Sequence, residues 1–134
     1  MSQFDILAAI IQERARQDDK FGPVDHLRLP NGTGDGHAVN QLRYARQDYT
    51  WAEEAGTLTM GHILREEFWE AMTESDDDKL RAELIQVAAV CVKWCEIIDA
   101  RRVEAKDKAW LAAPLNAEEQ VALADADSED GSEW

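Results

Sequence analysis

The sequence predicts an all-α protein, a bundle of four to five helices that assembles through its helix faces. Three observations point there. Apolar residues recur at i, i+3, i+4 and i+7 over long stretches, the period of a helix with one buried face. Only 3 Pro and 7 Gly interrupt 134 residues, and most of the glycines fall within Gly22–Gly36. Apolar residues make up 45% of the chain, enough for the modest core of a single domain of this length.

Residues 2–18 read as an amphipathic helix. Ser2 is placed to cap it and Asp5 complements its positive end, while Phe4, Leu7, Ile10 and Ile11 form the stripe expected to be buried. Arg14, Arg16, Gln17 and Lys20 lie at its polar end. Gly22 to Gly36 is rich in Pro, Gly, Asn and Asp and reads as a flexible connection or lid. Its run Gly32-Thr33-Gly34-Asp35-Gly36 lacks the Lys-Ser or Lys-Thr of a phosphate-binding loop. His26, beside Asp25, and His37 flank this segment and read as surface histidines. His37 to Ala55 is a second helix whose apolar positions, Val39, Leu42, Tyr44, Ala45, Tyr49, Trp51 and Ala52, cover more than one face and imply more than one neighbour. Arg43 and Arg46 lie on its polar side, placed to meet phosphate or acidic helices. Gly56 ends this helix, and Thr57 or Thr59 starts the next.

Residues 60–74 bury Ile63, Leu64, Phe68, Ala71 and Met72, with Trp69 turned toward a partner subunit. Ser75-Asp76-Asp77-Asp78 has the acids of a metal site, but the better reading is a helix start. Ser75 caps the following helix and the aspartates occupy its first turn, where the helix dipole favours them. Leu80 to about Lys106 is the longest helix, with Leu80, Leu84, Val87, Cys91, Trp94 and Ile98 as its packing stripe and Lys93 within reach of a nucleotide phosphate. Pro114 breaks the helical run, and Asn116 with Glu119 starts a short helix, Ala117–Ala124. The last ten residues have the acidic composition of a disordered tail. The expected organisation is a helical catalytic domain over 1–110, with the short helix and acidic tail over 111–134.

Net charge is −14, from 28 acids and 14 bases. Such a field repels nucleic acid and anionic membranes, so neither is an expected partner. Part of the acidity is remote, since Glu118 to Glu133 holds seven acids and no base. Met1–Ile11 has no basic start and Asp5 interrupts its apolar run, and no stretch elsewhere is long and apolar enough for a membrane span; neither a signal peptide nor an anchor is expected. Cys91 and Cys95, one helical turn apart, suit neither a disulfide nor zinc and read as small core residues in a reducing cytoplasm. Large apolar helix faces and five Trp on so small a chain imply self-association, at least as a dimer.

The chemistry concentrates in Ile63–Trp94. Glu67, Glu70 and Glu74 fall at i, i+3 and i+7 and share one helix face, with Glu66 leaning toward the same edge. On the next helix Glu83 and Gln86 run beside the apolar stripe. Packing the two helices gathers these acids at the edge of a dry seam, where repulsion drives them toward protonation unless a cation joins them. Mg²⁺ or Mn²⁺ takes oxygen ligands and leaves room for water and substrate phosphates. Bundles build such sites from glutamates on facing helices. Two solvated helix faces would show the same spacing, and spacing alone leaves both readings open.

Glu66-Glu67-Phe68-Trp69-Glu70, a gap of twelve residues, and Glu83-Leu84-Ile85-Gln86 resemble the EExxE…ExxD signature of the MazG-like all-α nucleoside triphosphate pyrophosphohydrolases. Glu13 to Gly22, ERARQDDKFG, is similar to the opening of the small, often phage-encoded members, as is the run ELIQVAAVCVKW; the likeness covers about residues 1–103. It implies cleavage of a nucleoside triphosphate to monophosphate and pyrophosphate. Glu66, Glu67, Glu70 and Glu83 would be the catalytic acids, and Glu67, Glu70, Glu83 and Gln86 would hold Mg²⁺ or Mn²⁺. Glu66 or Glu74 would position the attacking water. The likeness also implies Arg14 and Lys20 facing the phosphates, Phe21 walling the base, a dimer or tetramer, and a part in trimming deoxynucleotide pools in the host cytoplasm, with a purine such as dGTP or GTP as substrate. One position departs from the signature. Its final Asp is Gln86 here, which can offer an amide oxygen but no charge. Two other readings stay beside the enzyme: a helical adaptor without catalysis, and a regulator that binds metal and nucleotide without turnover.

Overall fold

Helix ends in this chain are written in its capping residues, and they delimit five helices among the described residues. The structure, a computed structural model, describes residues 2–24, 27 and 32–129. These form α1 (Gln3–Phe21), α2 (Gly36–Ala55), α3 (Met60–Thr73), α4 (Asp77–Ala112) and α5 (Ala117–Glu129), with no strand among the described residues. None of these helices is long and apolar enough to cross a membrane. The chain divides into two compact units, Met1–Asp99 and Ala100–Trp134. All the acids of the candidate site belong to the first.

At the start of α1 the Ser2 hydroxyl accepts from the Asp5 N–H at 3.2 Å, and the Asp5 carboxylate accepts from the Ser2 N–H at 2.8 Å. This reciprocal box satisfies two otherwise orphaned donors. The Ser2 bonds also hold the Asp5 carboxyl below its ordinary value. Asp35 caps α2 by accepting from the Ala38 N–H at 2.8 Å. Gly56 closes that helix in the left-handed region at φ 70°, where a side chain is strained, while the Thr57 N–H reaches back to the Ala52 carbonyl at 2.8 Å. Thr59 caps α3, and the His62 ring nitrogen accepts from the Thr59 N–H at 3.1 Å.

The cap of α4 is Asp76, not Ser75: its carboxylate accepts from the Lys79 N–H at 2.9 Å. A cap must directly precede the first helical residue, and that residue is Asp77, one position later than a Ser75 cap implies. The far end of α4 likewise runs past Lys106 to Ala112. Asn116 and Glu119 cap α5 with two reciprocal bonds of 2.9 Å. This helix continues to Glu129, five residues past the expected end at Ala124, where a tail was expected. The readings of Asp25, His26 and the end of the acidic tail lie outside the described residues.

The core is thin and alanine-rich: Ile6, Ala38, Leu42, Ala45, Ala52, Ala71, Leu80 and Val92. α2 and α3 pack as an antiparallel hairpin, with Arg65 of α3 paired to Asp48 of α2. Gly61 of α3 leaves room for the Trp94 ring of α4, whose edge lies 3.9 Å from where a side chain would begin. At the other side of α4, Gln3 of α1 donates to Glu96 at 3.3 Å. The Gly34 N–H donates to the Met72 carbonyl at 2.8 Å, so this end of the glycine-rich segment is fastened to α3.

Two expected faces are rotated. In α1 the buried residue is Ile6, while Phe4, Leu7, Ile10 and Ile11 are exposed. In α4 the expected Leu80, Val87 and Trp94 face inward, joined by Glu83, Val90 and Val92, whereas Leu84, Cys91 and Ile98 are exposed. Cys91 and Cys95 are therefore free thiols on an exposed face and not core residues. The cause is that α4 is apolar at nearly every position from Leu84 to Val92. Helical period then survives, but its phase depends on which neighbour arrives. Val39, Tyr44, Trp51 and Phe68 are exposed as well, and small side chains, Ala38, Ala45, Ala52 and Ala71, are among the buried residues of α2 and α3.

Candidate metal centre

α3 presents Glu67 and Glu70 one turn apart, and α4 turns Glu83 inward between Leu80 and Val87. Carboxylate oxygens of Glu67, Glu70 and Glu83 lie within 4.8 Å of one another, and all three residues are half-buried. Oε2 of Glu67 and Oε2 of Glu83 are buried and accept no hydrogen bond. The Glu70 carboxyl acts on both Glu66 and Glu67, and Glu74 acts electrostatically on Glu83.

Burial is the main force on these groups. It pushes the Glu67 carboxyl above its ordinary value, and the charges of Glu70, Glu83 and Glu66 push it further. Glu66 is raised by burial and then by Glu70, and Glu83 by burial and then by Glu70 and Glu74. One base works against this. Arg46, from α2, places Nη2 3.3 Å from Glu70 Oε1 and draws both Glu66 and Glu83 back down.

Magnitudes decide whether Arg46 suffices. Two carboxylates 4.8 Å apart repel by about 3 kcal/mol at an effective dielectric of about 20. A single-point ion pair with an exposed guanidinium returns about 0–1 kcal/mol. The cluster is left with a charge deficit that one arginine cannot fill. A set of hard oxygen donors, two of them buried without a partner, fits a divalent cation such as Mg²⁺ or Mn²⁺.

The other residues singled out in the sequence are engaged elsewhere. Gln86 lies one turn beyond Glu83 and is exposed. Arg14 donates along its own helix to Gln17 at 3.0 Å and Asp18 at 2.8 Å. The Lys20 ammonium sits 5.2 Å from the centre of the exposed Phe21 ring. Lys93 borders the groove between α1 and α4, 3.9 Å from Glu96. Arg43 donates to Asn40 and lies over Tyr44. Trp69 packs edge-on against His37 at 5.7 Å and Phe68 at 5.0 Å, so its ring has neighbours within the chain.

Sequence reading placed Glu83 at the margin of the seam; the structure puts it on the inner face. A clue was present, since Glu83 lies three residues after Leu80 and four before Val87, both on the stripe. Arg46 could be seen to lie on a polar face, but not which acid it meets. Comparison with known proteins adds no relative: no family model matches the chain, and no curated protein or solved structure does.

Proposed function

We propose that this chain is a MazG-like, divalent-cation-dependent nucleoside triphosphate pyrophosphohydrolase that converts a (deoxy)nucleoside triphosphate and water to the monophosphate and pyrophosphate. The observation that carries this reading is the meeting of Glu67, Glu70 and Glu83 from two helices, with two buried oxygens left without donors. The EExxE…ExxQ spacing of the same acids supports it. Glu67, Glu70 and Glu83 would hold Mg²⁺ or Mn²⁺, with the Gln86 amide at the margin. When bound, the cation supplies neutralisation of phosphate charge and a water of lowered pKa.

The chain's own residues do the rest. Glu66, raised by burial and by Glu70, is suited to take a proton from the attacking water. Glu74, which acts on Glu83, is the other base within the cluster. Water cleaves the α–β phosphoanhydride, its proton passes to the glutamate, and pyrophosphate leaves with the bonding electrons. Self-association belongs to the same proposal. Leu7 and Ile10 of α1 and Ile85 of α4 are exposed along a groove of about 610 Å³, an apolar face that a second copy would cover to give a dimer or tetramer.

Product identity tests this. The purified chain is incubated with a panel of nucleotides, dGTP and GTP first, with Mg²⁺ or Mn²⁺. Monophosphate plus pyrophosphate is the expected outcome, and release of orthophosphate alone would contradict it. One residue favours a second reading. Gln86 removes a charge from the motif, and a regulator would bind Mn²⁺ and nucleotide yet yield no product.

A further inference from the structure

Arg46 stands at the mouth of the acid cluster in an arrangement that is easily undone. It meets Glu70 through one nitrogen at 3.3 Å, leaving the rest of its donor fork unused in that pair. Its side chain is 58% exposed, against 23% for Glu70. A one-point contact of this kind contributes about 0–1 kcal/mol, so releasing it is cheap. The backbone beneath it is not free to follow. The adjacent Ala45 and, one turn before Arg46, Leu42 are buried in the core, 2% and 9% exposed.

A divalent cation among Glu67, Glu70 and Glu83 would compete for the Glu70 oxygens and repel a guanidinium beside them. The displaced side chain would remain at the mouth, anchored on α2. Its planar fork matches two oxygens of a phosphate, which a point charge does not. We infer that Arg46 exchanges partners: it pairs with Glu70 before a cation binds, and clamps the polyphosphate of the substrate once the cation has taken Glu70. This rests on the metal-site reading above and adds to it a substrate-binding residue on a third helix.

The exchange has a signature that a structural role lacks, because the two affinities move in opposite directions. Mn²⁺ alone is titrated calorimetrically into the wild type, Arg46→Met and Arg46→Lys, each first checked for its helical melt. The Mn²⁺ complex of inorganic triphosphate is then titrated into the Mn²⁺-loaded proteins. In Arg46→Met, Mn²⁺ binding tightens about threefold because a competing charge is gone. Triphosphate binding weakens about tenfold because the fork is gone. Arg46→Lys keeps the charge, so its Mn²⁺ affinity stays within about twofold of wild type while triphosphate still weakens. If Arg46→Met does not fold, the lysine variant alone carries the test.

Both affinities falling together, or triphosphate binding unchanged, would overturn the exchange while leaving the metal site standing. A wild-type protein that takes no Mn²⁺ would sink both.

Discussion

Apart from the acidic C-terminal stretch, acids gather in the turn before α4 and in the α3–α4 seam, and these two regions differ in what their carboxylates meet. In the turn before α4, Asp76 accepts the Lys79 N–H, and Asp77 and Asp78 sit exposed in the first turn, facing the positive end of the helix. In the α3–α4 seam, Glu67, Glu70 and Glu83 are half-buried, their oxygens within 4.8 Å, and two of those oxygens accept no hydrogen bond. The residue chemistry is nearly the same. What differs is the supply of donors: a helix start provides backbone N–H groups, and the side of a finished helix provides none, because its N–H groups are already committed. Acid density is therefore a poor marker of a metal site, and acids on the walls of two packed helices are a better one.

The widest separation between the two regions is expected in turnover. Glu67→Gln should lower hydrolysis by at least about a thousandfold, the several kcal/mol that a cation supplies to phosphate chemistry. Asp77→Asn should leave the rate within about twofold, since nothing ties the turn to the reaction. Circular dichroism should show both variants folded. Equal losses in the two would erase the distinction.

Thermal stability with metal is the next largest effect. A cation at a hundred times its dissociation constant stabilises the native state by about 2.7 kcal/mol, a rise in Tm of roughly 10 °C for a domain of this size. Glu83→Gln should lose most of that rise and Asp78→Asn none of it. Equal Mn²⁺ shifts in all three proteins would place the cation elsewhere.

Without metal, the seam should also set a pH dependence. Glu66, Glu67 and Glu83 have native pKa values raised above the ordinary 4.5. Between 4.5 and those raised values the native state holds more protons than the unfolded one, so stability falls as pH rises through that window. Their penalty is fully present above the raised values and absent below 4.5. Asp5, lowered by Ser2, has the opposite sign: its contribution is present above 3.8 and lost as pH falls through its native value. Metal-free protein should therefore melt higher near pH 5 than at neutrality, and Glu67→Gln should flatten that rise by removing a carboxylate with an orphaned oxygen. A melting point that climbs steadily from pH 5 to 7 in metal-free wild type would count against repulsion in the seam.

The smallest effect belongs to the turn. Asp76→Ala should cost about 1 kcal/mol as the loss of a helix cap, with no change in Mn²⁺ affinity.

Helix existence and most helix ends were legible because they are local. Ser2 with Asp5, Gly56, and Asn116 with Glu119 act within four residues of themselves, and each works as its chemistry suggests. Ser75 in place of Asp76 was a slip of one position between two residues that both cap well. Phase was not legible. The run from Leu84 to Val92 is apolar on most sides, so Leu84, Cys91 and Ile98 had as good a claim to the seam as Val87 and Val90. Spacing put Glu67, Glu70 and Glu74 on one helix face, and the resemblance to the EExxE…ExxD signature joined Glu67 and Glu70 to Glu83 and Gln86; the oxygens that lie together are those of Glu67, Glu70 and Glu83. Spacing could not show that Glu83 points inward, nor that Arg46 reaches Glu70 from 24 residues away, because both depend on how helices pair.

Calorimetric titration of Mn²⁺ into three proteins tests the central claim most directly: the wild type, the seam variant Glu67→Gln/Glu83→Gln, and the turn variant Asp77→Asn/Asp78→Asn. The account predicts saturable binding to the wild type, the same affinity in the turn variant, and none in the seam variant. Binding that survives in the seam variant and disappears in the turn variant would contradict it, and would move the cation to the aspartates.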